Sequence, residues 1–109
     1  MTGRWAVRAP MPTSRAGAAT AVLDGRLYVF GGEGKSADAT GVFAETESYN
    51  PATDRWSRHL PMQTPRHGTG AAAAGGSIFV PGGADVEGFG AVAVTDAFTS
   101  GIVVPNPAE

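Results

Sequence analysis

The chain has 109 residues, and 42% of them are apolar, which argues against wholesale disorder. Sixteen Gly and eight Pro favour many turns between short strands over helices. A net charge of −2 with no long run of either sign argues against a nucleic-acid footprint or a membrane-surface patch, and zero Cys excludes disulfides, a thiolate nucleophile and a Cys-ligated zinc site.

Read in order, Arg4–Ala9 is a short strand opened by Trp5 and stopped by Pro10-Met11-Pro12. A loop carries Arg15 and ends near Gly17. Ala18–Leu23 is small and apolar, the strand Arg26–Phe30 is β-branched and aromatic, and Asp24-Gly25 between them is a hairpin turn. Gly31-Gly32 ends the strand and permits close backbone approach. A polar loop follows, then a strand over Gly41–Tyr49. Asn50 to Asp54 form a turn before the strand Arg55–Leu60.

The pattern then repeats. Arg4–Gly32 aligns on Arg55–Gly83 at an offset of 51 without a gap, with 12 of 29 positions identical. Trp5 meets Trp56, Met11 meets Met62, Arg15 meets Arg66, and Gly31-Gly32 meet Gly82-Gly83. The second copy supplies a small-residue strand over Thr69–Ala74, a Gly75-Gly76 turn, Ser77–Val80, a loop over Ala84–Gly90 and a strand over Ala91–Phe98. Ile102-Val103-Val104 is a short apolar run, and Pro105–Glu109 echoes the Asn50-Pro51 turn. No segment reads as a usable helix. A period near 50 residues signals stacked supersecondary units.

The double glycines, Tyr49-Asn50-Pro51, Asp54-Arg55-Trp56, Arg15, Arg66-His67-Gly68 and this spacing together resemble the kelch repeat. The resemblance implies an all-β fold of four-stranded antiparallel β-propeller blades, about two of them, in an incomplete propeller. The expected division of the single 109-residue unit is an orphan outer strand at residues 1–12, blade one at 13–62, an incomplete blade two at 63–104 and a tail at 105–109. Propellers hold about four to eight blades. Three arrangements follow: a fragment of a larger propeller, a head-to-tail homo-oligomer in which each Trp5 strand completes the next chain's open blade, or a monomer whose Trp5 strand folds back onto blade two. The first two are favoured, because a lone wedge leaves apolar faces wet.

Candidate site residues are few. The resemblance places Arg15 and Arg66 near one mouth of a central channel, where they would bind an anionic group. Their repetition favours a structural role, donating to loop carbonyls or to a nearby acid. His67 breaks the repeat, its counterpart being Ala16; His59 is expected to be solvated on the outer strand. Glu45 and Glu47 share a strand face, expected to be solvated or paired with a cation, and Asp96 is aligned with Glu45. Lys35, Asp38, Phe43, Asp85, Glu87 and Phe89 lie in or beside the inter-strand loops and are assigned to a partner surface, with inter-blade packing an equal alternative for Phe43 and Phe89.

No phosphate-cradling, nucleophile-elbow or metalloprotease motif is present, and no cofactor or metal is expected. The first expectation for function is a non-catalytic module binding a protein or carbohydrate partner through its loops. The alternative is a sugar-acid epimerase or mutarotase of the sialic-acid type, using Arg15, Arg66, His67 and Glu45. The N-terminus lacks the apolar run of a signal peptide, and no stretch reaches the ~20 apolar residues of a membrane span. Taken as complete, the chain is expected to be soluble and cytoplasmic.

Overall fold

Asp24 and Gly25 both adopt positive φ, 51° and 73°. A two-residue turn between twisted antiparallel strands demands this. The turn joins β1 (Ala19–Leu23) to β2 (Arg26–Phe30), and β3 (Thr46–Asn50) and β4 (Arg55–His59) follow in a sheet ordered β1-β2-β3-β4. Gly75-Gly76 makes the equivalent turn between β5 (Ala72–Ala74) and β6 (Ser77–Pro81). With β7 (Thr95–Thr99) these form a sheet ordered β5-β6-β7. All pairings are antiparallel. The computed structural model describes residues 3–100, and no helix occurs among them.

Two strand expectations need correction. Arg4–Ala9 is not a strand: it runs irregularly, with Trp5 and Val7 fully exposed. Its end is held by side chains of blade one, and among the described residues no strand pairs with it through a backbone ladder. The third strands begin later than read, because Val42 and Ala91 instead make isolated bridges to Glu33 and Ala84. Blade two has three strands among the described residues. The Ile102–Val104 run and the 105–109 tail lie outside the described residues.

The alternation of side chains across each strand decides which faces meet. Tyr28 and Phe30 pair with Ser48 and Thr46, and Thr46 pairs with His59, so these side chains share one face of blade one. That face meets Ile78 and Val80 of β6. Ala19, Tyr28, Phe30, Ile78 and Val80 form the core, with Met62, Ala71 and Phe98 packed around it. Burying Ile78 completely contributes about 1.5–3 kcal/mol, more than the ~1 kcal/mol of one inter-blade hydrogen bond. Apolar packing therefore dominates the joint.

A contrast within the repeat shows what a neighbouring blade does. Tyr28 faces blade two and is 0% exposed; its counterpart Phe79 faces outward and is 40% exposed. Small side chains let the inner strands approach: β1 presents Ala19 and Ala21 to blade two, and β5 is all alanine.

Candidate functional site

The loops that enter the inner strands and those that follow the double glycines come together. Ala16 bridges Glu33, which bridges Val42; His67 bridges Ala84, which bridges Ala91. Within this frame each blade is pinned by one arginine. Arg15 Nη1 donates to Gly31 O (2.8 Å) and Glu45 O (2.6 Å), and its Nη2 donates to Glu47 Oε1 (2.8 Å). Both side chains of the Arg15–Glu47 pair are fully buried. Glu47 also accepts from Thr13 Oγ1 at 2.8 Å and faces Arg58 at 3.4 Å. Burial pulls the Arg15 guanidinium below its usual range, opposed by the nearby Glu47 charge.

Arg66 repeats the arrangement in blade two. Its Nη1 donates to Val80 O (2.9 Å), Gly82 O (2.6 Å) and Val94 O (3.0 Å), its Nη2 to Asp96 (2.8 Å), and its Nε to Thr64 O (3.2 Å). Asp96 is thus the counterpart of Glu47, not of Glu45 as aligned from the sequence. Residues 31 to 45 and 82 to 94 differ in length by two, which shifts the register of the third strand. Glu45 contributes its backbone carbonyl, which also accepts from Gly31 N at 3.0 Å. Of the two settings expected for it, Glu47 takes the cation-paired one and is 0% exposed.

His67 lies at the seam between blades and is 5% exposed. Its Nδ1 is 2.9 Å from Glu33 Oε2 of blade one, and its Nε2 is 2.7 Å from Val86 O. A carbonyl only accepts, so Nε2 carries a hydrogen, and a proton is shared between Nδ1 and the Glu33 carboxylate when the ring is charged. Sequence reasoning missed Glu33. A signal was available: Ala84 stands at the position of Glu33 in the second repeat, as Ala16 stands at that of His67 in the first. The two breaks in the repeat are each other's partners.

The same seam knits the outer loops. Glu87 N donates to Thr40 O at 2.8 Å, and Gly88 N lies 3.4 Å from Glu33 Oε1. The loop over 33–42 is self-supported. Asp38 accepts from Thr40 N (2.9 Å) and Thr40 Oγ1 (2.8 Å), with the backbone bond the larger cause of its lowered pKa. Lys35, Asp38, Asp85 and Glu87 are exposed, and Phe89 is 92% exposed. Phe43 is 7% exposed and therefore packs inside instead of being presented. His59, expected in solvent, is half-buried between Tyr28 and Phe98, with ring centroids 5.3 and 5.7 Å away. Its Nε2 is 2.7 Å from Ser48 Oγ. Burial, then the Arg26 charge, lowers its pKa.

The Kelch motif family matches residues 14–58, a segment that spans the four-stranded sheet up to the last residue of β4. This is a kelch-repeat chain. It is 37% identical over 89 residues to Kelch-like protein terF of Aspergillus terreus, covering 82% of this chain and 19% of that protein. It is 42% identical over 71 residues to N-acetylneuraminate epimerase 2 of Escherichia coli O6:H1, covering 61% of this chain and 19% of the enzyme. Beta-scruin of Limulus polyphemus is 32% identical over 80 residues, covering 73% of this chain and 8% of that protein. The solved structure of YjhT superposes with a TM-score of 0.67 at 33% identity, covering 76% of this chain and 25% of that one. The kelch chain thus spans about a fifth of the length of the first two relatives. Among its described residues no helix is long and apolar enough to cross a membrane.

Proposed function

We propose that this kelch unit is a non-catalytic recognition module whose loops over 33–42 and 84–90 form one contact surface for a protein or glycan partner. The observation that carries this reading is the joining of the two loops across the blade seam. Glu87 N to Thr40 O, Gly88 N beside Glu33, and His67 to Val86 O fix them relative to each other, while Phe89 stays 92% exposed. An exposed aromatic on such a loop suits an anchor for a partner's pocket or a sugar ring. The two arginines support the reading by elimination, since their guanidinium groups are already engaged within the blades. The test is a glycan array and a pull-down with the parent chain and Phe89→Ser. Loss of the captured partner with unchanged melting supports the surface; unchanged capture removes Phe89 from it.

One observation favours a second reading. The match to N-acetylneuraminate epimerases brings a sugar acid into view as substrate, and His67–Glu33 is a carboxylate–imidazole pair able to move a proton. Arg15 and Arg66 would not hold the substrate carboxylate directly in that case, because each lies buried against carbonyls and an acid.

A further inference from the structure

One side chain ties the loop over 84–90 to blade one. His67 stands in the loop before β5, and its backbone is fixed by a bridge to Ala84, with His67 N to Ala84 O at 3.0 Å and Ala84 N to His67 O at 2.9 Å. Its ring then reaches in two directions. Nε2 is 2.7 Å from Val86 O, and Nδ1 is 2.9 Å from Glu33 Oε2 of blade one. Glu33 is fixed in turn, its backbone bridging Ala16 and Val42. The ring is 5% exposed, so water has little access to either contact.

These two contacts set a condition on the protons. Val86 O only accepts, so Nε2 carries one hydrogen. With that hydrogen alone the ring is neutral, and Nδ1 turns a lone pair toward a carboxylate oxygen 2.9 Å away. Two acceptors at that distance repel. The contact therefore needs one more proton, lying between Nδ1 and Oε2. Among the described residues Glu33 is the charged group that faces the ring. Asp85 and Glu87 flank Val86 but are exposed. The Arg15 and Arg66 guanidinium groups are turned into their own blades, against Glu47 and Asp96.

The frame itself does not need the pair. Each bridge forms with an alanine on one side, Ala16 opposite Glu33 and Ala84 opposite His67. What the pair adds is a hold on the loop that carries Phe89. That loop also meets blade one through Glu87, whose N donates to Thr40 O at 2.8 Å and whose carboxyl fills the space a Cβ on Gly41 would take. Gly88 N lies 3.4 Å from Glu33 Oε1. Glu33 thus sits where one proton decides whether it attracts or repels the loop's anchor.

We propose that the proton between Glu33 and His67 is a pH-sensitive latch on the loop surface. When bound, it ties the loop over 84–90 to blade one and holds Phe89 in place. When lost, it sets Glu33 against Nδ1 and frees the loop. The latch therefore holds at low pH and opens as pH rises. Histidine is the side chain that ordinarily changes charge between about pH 5 and 8. The use of the latch rests on the recognition surface proposed above. Loop order is read with no partner present, so failure of either proposal leaves the other standing.

The parent chain is followed by NMR from about pH 5 upward. The ring nitrogen shifts of His67 report when the proton leaves, and hydrogen exchange reports protection at the Asp85, Glu87 and Gly88 amides. Protection there is expected to fall by about tenfold or more as His67 loses its proton. The Gly31 amide, bonded to Glu45 O inside blade one, is expected to keep its protection. Glu33→Gln separates a latch from a static contact, because its amide donates to the lone pair of the neutral ring. The loop of that variant should stay protected at the pH at which the parent loosens. Glu33→Ala, which matches Ala84 of the second repeat, should leave the loop weakly protected at every pH. A His67 ring that keeps both hydrogens until the chain unfolds overturns the proposal. So does protection that is constant while the ring titrates, or a Glu33→Gln chain with the parent's pH response.

Discussion

Replacing Glu47 with Ala should unfold blade one, and the size of the effect separates a structural arginine from a ligand-binding one. The Glu47 carboxylate and the Arg15 guanidinium are both fully buried and 2.8 Å apart. Removing the carboxylate leaves the Arg15 cation in the sheet with only carbonyl partners, and also strips Thr13 of its acceptor. Breaking a buried pair from one side costs about 3–5 kcal/mol. A domain of this size has about 5–15 kcal/mol in total. At about 4–8 °C per kcal/mol for small domains, the melting midpoint should fall by roughly 12–40 °C. Asp96→Ala in blade two should cost less, about 1–3 kcal/mol, because the Asp96 side chain is 31% exposed and water can serve Arg66 in its place. The double variant Arg15→Met/Glu47→Leu should recover most of the loss, since an apolar pair of similar volume removes both desolvated charges. Thermal melts followed by far-UV circular dichroism measure all four chains. A Glu47→Ala chain that melts within a few degrees of the parent would refute the argument. An Arg15→Met chain of parental stability that loses a ligand would return Arg15 to a binding site.

Gly31→Ala should be far more costly than Gly25→Ala. Both positions have positive φ, which costs about 1–2 kcal/mol for an L side chain, but a Cβ at Gly31 runs into the Arg66 carbonyl across the blade seam, whereas one at Gly25 meets nothing within 4 Å. Denaturant midpoints of the two variants check this. His59 sets a pH dependence. Its folded pKa is lowered by burial, so its neutral form stabilises the joint above the unfolded value of about 6.5. That contribution is lost as pH falls through the folded pKa, and Phe98 and Tyr28 resonances should report loosening in that window. Asp54 acts in a lower range. The Ala9 amide, then the Tyr49 hydroxyl, lower its pKa, so the grip on Ala9 is complete above the ordinary aspartate value of about 3.9 and is released only as pH falls further, through the lowered folded value, visible as faster amide exchange at Ala9.

Most of the fold was legible because its determinants are local. The Asp24-Gly25 turn, the double glycines and the aromatic run Leu27–Phe30 each specify their own geometry, and the offset of 51 places them twice. Arg4–Ala9 misled because a strand is a property of its neighbours. The same Arg-Trp dipeptide is a strand at Arg55-Trp56, where β3 supplies partners, and irregular at Arg4-Trp5, where none of the described residues does. The site was half legible. The repetition of Arg15 and Arg66 pointed to a structural role, which their carbonyl contacts explain, and the loop residues Asp38, Asp85, Glu87 and Phe89 do lie at the surface. The sequence left the setting of Phe43 and Glu47 open, because alternation tells which face a residue takes, not whether another segment covers that face. The Glu33–His67 pair escaped because its members belong to different blades, 34 positions apart.

The choice between a recognition surface and a sugar-acid enzyme turns on whether the Glu33–His67 pair performs chemistry. The anomer-exchange rate of N-acetylneuraminate, measured by NMR with and without the parent chain, tests this directly. A recognition module leaves the rate at its protein-free value, and His67→Gln changes only the order of the loop over 84–90. Acceleration by the parent chain that is abolished in His67→Gln at unchanged melting temperature would contradict the account and assign the seam to catalysis.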